Sequence, residues 1–332
     1  MAISIDDIKK LRAMTGAGLA DVKKALTEAE GDFDKAKELL RERGLAIAAK
    51  RSDRETSNGC VLVKAVDGFA ATIALKCETD FVANGADFIA LTQSILDAAI
   101  AAKAKTLDEV KELTLANGQK VQDAVTQRSG ITGEKMELDG YLVLEGENVE
   151  VYDHMGKHML ATMVQLNKPA AEVGHKLAMQ VAAMKPVALD AQSIDQKILD
   201  EEYRTAVEKT KLEQVQKYVD MKIKKAGINP NLVDSEDHIE SNMSKGWLTQ
   251  EQADAAHKII ADATPEGEAQ LKMPMIEGIA KGRVEKFKKE SCLIDQEFQF
   301  GDGDKQTVSQ WLAQQDKELK IVDFKRFTLV AE

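Results

Sequence analysis

Cysteine is scarce in this chain of 332 residues: Cys60, Cys77 and Cys292 stand far apart, and no C-x-x-C occurs. That spacing argues against a disulfide framework or a zinc knuckle, and it fits a reducing compartment. Basic residues are outnumbered, with 45 Lys and Arg against 56 Asp and Glu and a net charge of −11. Non-specific nucleic-acid binding needs a basic footprint, so only a local basic patch could rescue that class. Long apolar runs are missing as well. The N-terminus, MAISIDDIKKLRAM, has no uninterrupted apolar stretch, and no run reaches membrane-spanning length. The expectation is a soluble, cytoplasmic protein without a membrane or nucleic-acid partner. Nucleotide and hydrolase motifs are absent too: neither G-x-x-x-x-G-K-[ST] nor G-x-G-x-x-G follows a strand pattern, and no G-x-S-x-G occurs.

What is present is ample core material, 44% hydrophobic residues with 30% charged, in a chain long enough for two or three domains. Residues 1–50 read as a module of three short helices. Ser4 and Asp7 form a capping start, with Ile5, Ile8 and Leu11 on one face. The TGAG turn (Thr15 to Gly18) breaks that helix, because paired glycines supply unusual backbone angles. A second helix buries Val22, Ala25 and Leu26. A third follows Asp32, turns Phe33, Ala36 and Leu40 inward, and is expected to stop at Gly44. A bundle this small is marginal alone. The polar stretch that ends near residue 58 is a linker, placed at 51–58.

Residues 59–148 read as a first core subdomain. VLVKAVDGFAATIALKC is a hairpin around Asp67-Gly68, a favoured turn dipeptide. In its second arm Ile73, Leu75 and Cys77 alternate with Thr72, Ala74 and Lys76, so one face should be buried and the other lighter. Phe88, Leu91, Ile95 and Ala99 then mark a helix, and Thr106 with Glu109 caps another. Residues 149–186 repeat the layout with VEVYDHMGKHMLATMVQLN and AAEVGHKLAMQVAAM, which points to an internal structural repeat. Residues 195–272 carry a sparse apolar stripe (Leu199, Tyr203, Val207, Leu212, Val215, Val219) and read as a protruding antiparallel coiled-coil arm. Thr249 and Gln252 form a capping box there, and ATPEGEAQ reads as loop. Two further helices and the strand KIVDFKRFTLV, whose two faces are both partly covered, complete a second core subdomain, 149–194 with 273–332. The fold class is α+β.

One loop stands out. In CETDFVANG an Asp80-Phe81 tip occupies a strand-to-helix connection, whereas the matching loop of the second copy is only NKPAAE. The architecture therefore does not demand such a tip. Phe81 admits two readings: a core aromatic folded under the loop, or an exposed anchor for a partner protein, since interface hot spots are enriched in aromatics. Asp80 either caps the following helix or meets the partner. His154 and His158 are spaced for a metal only if helical, yet Gly156 between them sits at a hairpin turn. His175, His238 and His257 read as surface residues. No catalytic constellation emerges, so neither an enzyme nor a cofactor is expected.

Two stretches together carry a resemblance. KKLRAMTGAGLADVKKALTEAEGDFDKAKELLRERG resembles the N-terminal, ubiquitin-associated-like module of the elongation factor Ts family, and LKCETDFVAN looks like that family's core motif. YDHMGKHMLATMVQL, LAMQVAAMKP and CLIDQEFQF with TVSQWL and FKRF follow in the family's order, covering nearly all of the chain outside residues 203–270. The resemblance implies guanine nucleotide exchange on elongation factor Tu, bound either with GDP or nucleotide-free, during translation elongation. It implies that Asp80 and Phe81, flanked by Thr79 and Val82, push into the partner near its magnesium and phosphates. It also implies docking through Arg12, Gly16, Gly18 and Leu19, with His154 at a second contact. Two departures bear on this. Leu19-Ala20 stands where the family often has methionines, and the arm is longer than usual, which puts homodimerisation through it in doubt. A non-catalytic adaptor that docks through the N-terminal module is the alternative.

Overall fold

The computed structural model describes residues 3–15, 17–301, 303 and 305–330. It divides into one compact unit, Met1–Pro186 with Glu297–Glu332, and a second, Val187–Gln296. Helix α1 (Ile5–Thr15) starts where Ser4 Oγ accepts from the Asp7 amide at 3.0 Å and the Asp7 carboxylate accepts from the Ser4 amide and hydroxyl. Helices α2 (Leu19–Glu28) and α3 (Phe33–Lys50) follow. Leu11, Val22, Ala25, Leu26 and Ala36 form their shared core.

Strands β1 (Asn58–Val66) and β2 (Phe69–Cys77) make the first hairpin, turning at Asp67 and Gly68, both with positive φ. A one-turn helix α4 (Asp80–Ala83) leads into α5 (Ala86–Ala102). Then come α6 (Leu107–Glu112), α7 (Val121–Thr132) and β3 (Met136–Glu145), which pairs antiparallel with β2. Phe88, Ile95 and Leu96 of α5 pack on Ile73, Leu75 and Cys77 of the sheet. The second copy is β4 (Val149–Asp153), β5 (Leu160–Leu166) and α8 (Ala171–Met184).

The unit Val187–Gln296 is helical. Its longest helix, α9 (Gln196–Lys225), packs with α11 (Gln250–Ala269) and α12 (Met273–Ser291), and the short α10 (Glu236–Ser244) completes it. Val219, Ile223, Ile239, Ala253 and Ala256 are buried in its own core. Glu213 of α9 meets Arg283 of α12 at 2.5 Å, and Lys222 meets Glu266 of α11 at 2.8 Å. The sequence ATPEGEAQ is not a loop here. It forms the last turns of α11 and its C-cap Gln270, with Pro265 in the helix interior and Gly267 packed against Tyr218. Tyr218 donates to Glu266 at 2.9 Å, so contact with α9 holds a segment whose own propensity is poor.

The chain then returns to the first unit with α13 (Val308–Gln315) and β6 (Ile321–Thr328), which joins the second sheet in the order β4-β5-β6, matching β1-β2-β3. The repeat therefore includes a third strand. In the second copy the helical unit is inserted before that strand. The two sheets pack face to face through Val61, Ala74 and Ala161, and through Ala70, Leu144 and Met163. This corrects the expectation of a lighter outer face on β2: Thr72 and Ala74 are as buried as Ile73 because the second sheet covers them. Gly44 is likewise not a helix stop. α3 runs on to Lys50, and Gly44 touches α7, where a Cβ on Gly130 would lie 2.4 Å from the Gly44 Cα. Glycine here permits close helix approach instead of ending a helix.

The three thiols are buried and unpaired. Burial pushes those of Cys60 and Cys77 up to about 12. On β3, Gly140 (φ +96°) sits under the Phe327 ring, and a Cβ there would lie 2.2 Å from ring carbons. Gly140→Ala should destabilise the protein by about 1–3 kcal/mol through overpacking in a strained backbone position. A denaturant midpoint equal to that of the wild type would show that the ring moves aside freely.

Candidate functional site: the Phe81 turn

The turn at residues 78–85 is held by hydrogen bonds at both ends of its one-turn helix. Thr79 caps α4, its hydroxyl accepting from the Val82 amide at 3.4 Å. The Asn84 side chain and backbone amide both donate to the Asp80 carbonyl, closing the other end. Gly85 N–H reaches the Val82 carbonyl at 3.0 Å, and the chain turns directly into α5. Beneath the turn, Ala83 is buried and Val82 packs against the first-sheet core. The Cys77 thiol donates to the Thr79 carbonyl at 3.2 Å.

Neighbouring segments hold the base. Glu134, just after α7, accepts from the Thr79 hydroxyl at 2.6 Å and from the Thr79 amide at 3.1 Å. Glu78 accepts from the Lys135 amide at 2.6 Å and from Arg51 at 2.9 Å. The Lys135 amide, then Arg51, hold the Glu78 carboxyl below the usual carboxylate range. Asn58 donates to the Glu78 carbonyl at 3.0 Å. None of these supports is legible locally: Glu134 lies 55 residues from Thr79.

Against this fixed frame Phe81 is 89% exposed. Its neighbours are tied down, so the exposure belongs to a rigid turn, and the reading of Phe81 as a core residue does not hold. Asp80 is exposed beside it. An isolated exposed aromatic costs little and means little. One projected from a turn with no slack is a shaped feature.

The remaining candidates fall on other elements. Arg12 is exposed in the last turn of α1, and Gly18 and Leu19 are exposed at the start of α2, Leu19 by 57%. Gly16 lies outside the described residues. The exposed Met14, which pattern reasoning did not single out, joins Leu19 in flanking that turn. His154 is half-buried in a single 3-10 turn, its Nδ1 3.2 Å from the Tyr152 hydroxyl. Beside it Met155 (φ 57°) is 69% exposed, an apolar side chain in solvent that no sequence pattern indicated. His158 faces away from a shared site, its Nδ1 2.5 Å from Asp153. The spacing of the two histidines is thus that of a turn, and among the described residues no group of three His, Cys, Asp or Glu side chains could hold a metal. The His158 carbonyl accepts from the Val61 amide at 2.7 Å, which ties this second turn to β1.

A family model described as elongation factor TS matches residues 78–331, beginning at the base of the Phe81 turn. The chain belongs to the elongation factor Ts family. Relatives within it match end to end. The elongation factor Ts of Parabacteroides distasonis is 57% identical over 332 residues, covering 100% of both chains. That of Bacteroides fragilis is 58% identical over 333 residues, and that of Porphyromonas gingivalis 40% over 333, again at 100% of both chains. The helical unit Val187–Gln296 is therefore part of what these family members share. Membership makes the chain a translation elongation factor. No helix among the described residues is long and apolar enough to cross a membrane.

Because Phe81 is exposed and Phe88 fully buried, the two should separate sharply on truncation. Phe81→Ala is expected to change unfolding free energy by no more than about 0.5 kcal/mol. Phe88→Ala should cost about 3–5 kcal/mol. Denaturant unfolding of both variants tests this, and a large loss for Phe81→Ala would return that ring to a packing role.

Proposed function

We propose that the chain is a guanine nucleotide exchange factor that binds elongation factor Tu and speeds release of its GDP, with Phe81 as the wedge. The observation that carries this reading is an aromatic ring held out, 89% exposed, by a turn whose base is fixed. Asp80 and Val82 flank the ring, and Thr79 anchors it. Arg12, Gly18, Leu19 and His154 are assigned to docking. Such a factor binds both the GDP form and the nucleotide-free form of its partner, and it needs no chemistry of its own.

Energetics divide the labour. Burying one phenylalanine contributes about 1.5–3 kcal/mol. Accelerating release by about ten-thousandfold requires about 5.5 kcal/mol off the barrier. The docking surfaces must supply the difference by holding the ring where it enters. Linkage gives the cycle its direction: if the factor weakens nucleotide binding, nucleotide weakens factor binding by the same ratio. GTP rebinding then expels the factor.

The test is release of a fluorescent GDP from elongation factor Tu of the same source. Wild-type protein should accelerate it strongly, and Phe81→Ala should lower the maximal rate by about tenfold or more, on the scale of a lost hot spot. No acceleration by the wild type would sink the exchange reading. Equal rates for both would move the work to the docking surfaces and leave an adaptor-like role for the turn.

A further inference from the structure

β2 and β3 pair as far as Cys77 opposite Met136. Continuing that register puts Glu78 opposite Lys135 and Thr79 opposite Glu134. Backbone pairing stops there, and side chains take over in both directions. The Glu78 carboxylate accepts the Lys135 amide at 2.6 Å, while the Glu134 carboxylate accepts the Thr79 amide at 3.1 Å. Each strand end thus offers an acid to the other's N–H, two charge-assisted bonds in place of a ladder rung.

From this reciprocal clamp we infer that Glu134 is a positioning residue for the Phe81 wedge. The inference rests on the exchange reading above. Glu134 does more than tie two segments. Its second bond takes the Thr79 hydroxyl proton at 2.6 Å, which leaves the oxygen lone pairs directed at the Val82 amide. A carboxylate therefore sets the hydroxyl's orientation, the hydroxyl caps α4, and the cap brackets Phe81 between Thr79 and Val82. Glu134 is in turn placed by its own segment. Gly133 ends α7 in the left-handed region (φ 73°), the Ser129 hydroxyl donates to the Glu134 carbonyl at 2.5 Å, and the Glu134 amide donates to Thr132 Oγ1 at 3.3 Å. The wedge is thereby mounted on α7 as well as on its own strand. α7 also carries the Gly130 contact with α3, so one helix supports both the turn and the N-terminal module.

A residue that aims a wedge affects the step at which the wedge acts, and docking much less. Nucleotide release should be followed against factor concentration for wild type, Glu134→Ala, Glu134→Gln, Thr79→Ala and the Glu134→Ala/Thr79→Ala double variant. Glu134→Ala should lower the maximal release rate by about five- to tenfold, as expected for a misplaced group, with the half-effect concentration changed less than about twofold. Glu134→Gln keeps an acceptor oxygen and should recover part of the loss. The double variant should be no slower than the worse single one, because both remove the same link. Amide hydrogen exchange on the isolated protein gives a second readout that needs no partner. Val82 to Asn84 should exchange about threefold to tenfold faster in Glu134→Ala, while β2 and α5 stay protected.

A normal maximal rate in Glu134→Ala, or a loss confined to the half-effect concentration, overturns the positioning role. So does unchanged exchange at Val82 to Asn84. If wild type fails to stimulate release, the exchange reading falls, and the amide measurement still decides whether the clamp holds the turn.

Discussion

Close approach of the two three-stranded sheets is the constraint on which the first unit depends. Alanines 70, 74 and 161 and the glycines at 59 and 140 make room between the sheets for larger side chains such as Met163, Leu144 and Phe327. Each sheet can then bury both faces, one on the other sheet and one on its own helix, α5 or α8. A strand buried on both faces has no solvent side on which to slip, so its register is tightly specified. The turns leaving such strands are placed as firmly as the strands themselves. The Phe81 turn leaves such a strand, β2, whereas the His154 turn leaves the half-buried β4 and is held by its bond across to β1.

Rigidity at the tip and exposure at the tip are one design. A flexible loop would fold an aromatic ring back onto the nearest apolar surface, because burial contributes about 1.5–3 kcal/mol. Here α4 is a single turn capped at both ends and pinned to the α7–β3 connection. The ring has nowhere to fold, so its apolar surface stays exposed. Under the exchange reading proposed above, the ordering entropy is lost in folding, before any encounter, and binding need not meet it again.

The helical unit Val187–Gln296 follows a different logic. Its own core joins Val219 and Ile223 of α9, Ile239 of α10 and Ala253 and Ala256 of α11, with ion pairs such as Glu213–Arg283 along the seams. The Glu213 side chain is partly exposed, so this pair adds little stability. Family members matched at full length carry the same unit.

Much of this was legible in the residues alone. Alternation along Ile73, Leu75 and Cys77 determined the strand face that meets α5, Asp67-Gly68 determined the hairpin, and CETDFVANG against NKPAAE marked the one loop with surplus chemistry. Local pattern carries such information because periodicity and turn chemistry act over a few residues. The rest depended on partners far along the chain. Gly44 and ATPEGEAQ look like breakers until Gly130 and Tyr218 are placed beside them. Ala74 looks half-exposed until a second sheet covers it. Whether Phe81 points in or out was undecidable from its own neighbours, because the turn that carries it is pinned by a carboxylate, Glu134, 55 residues away. Sequence determined which elements form; tertiary structure decided which way the ring faces, since only packing brings Glu134 to Thr79.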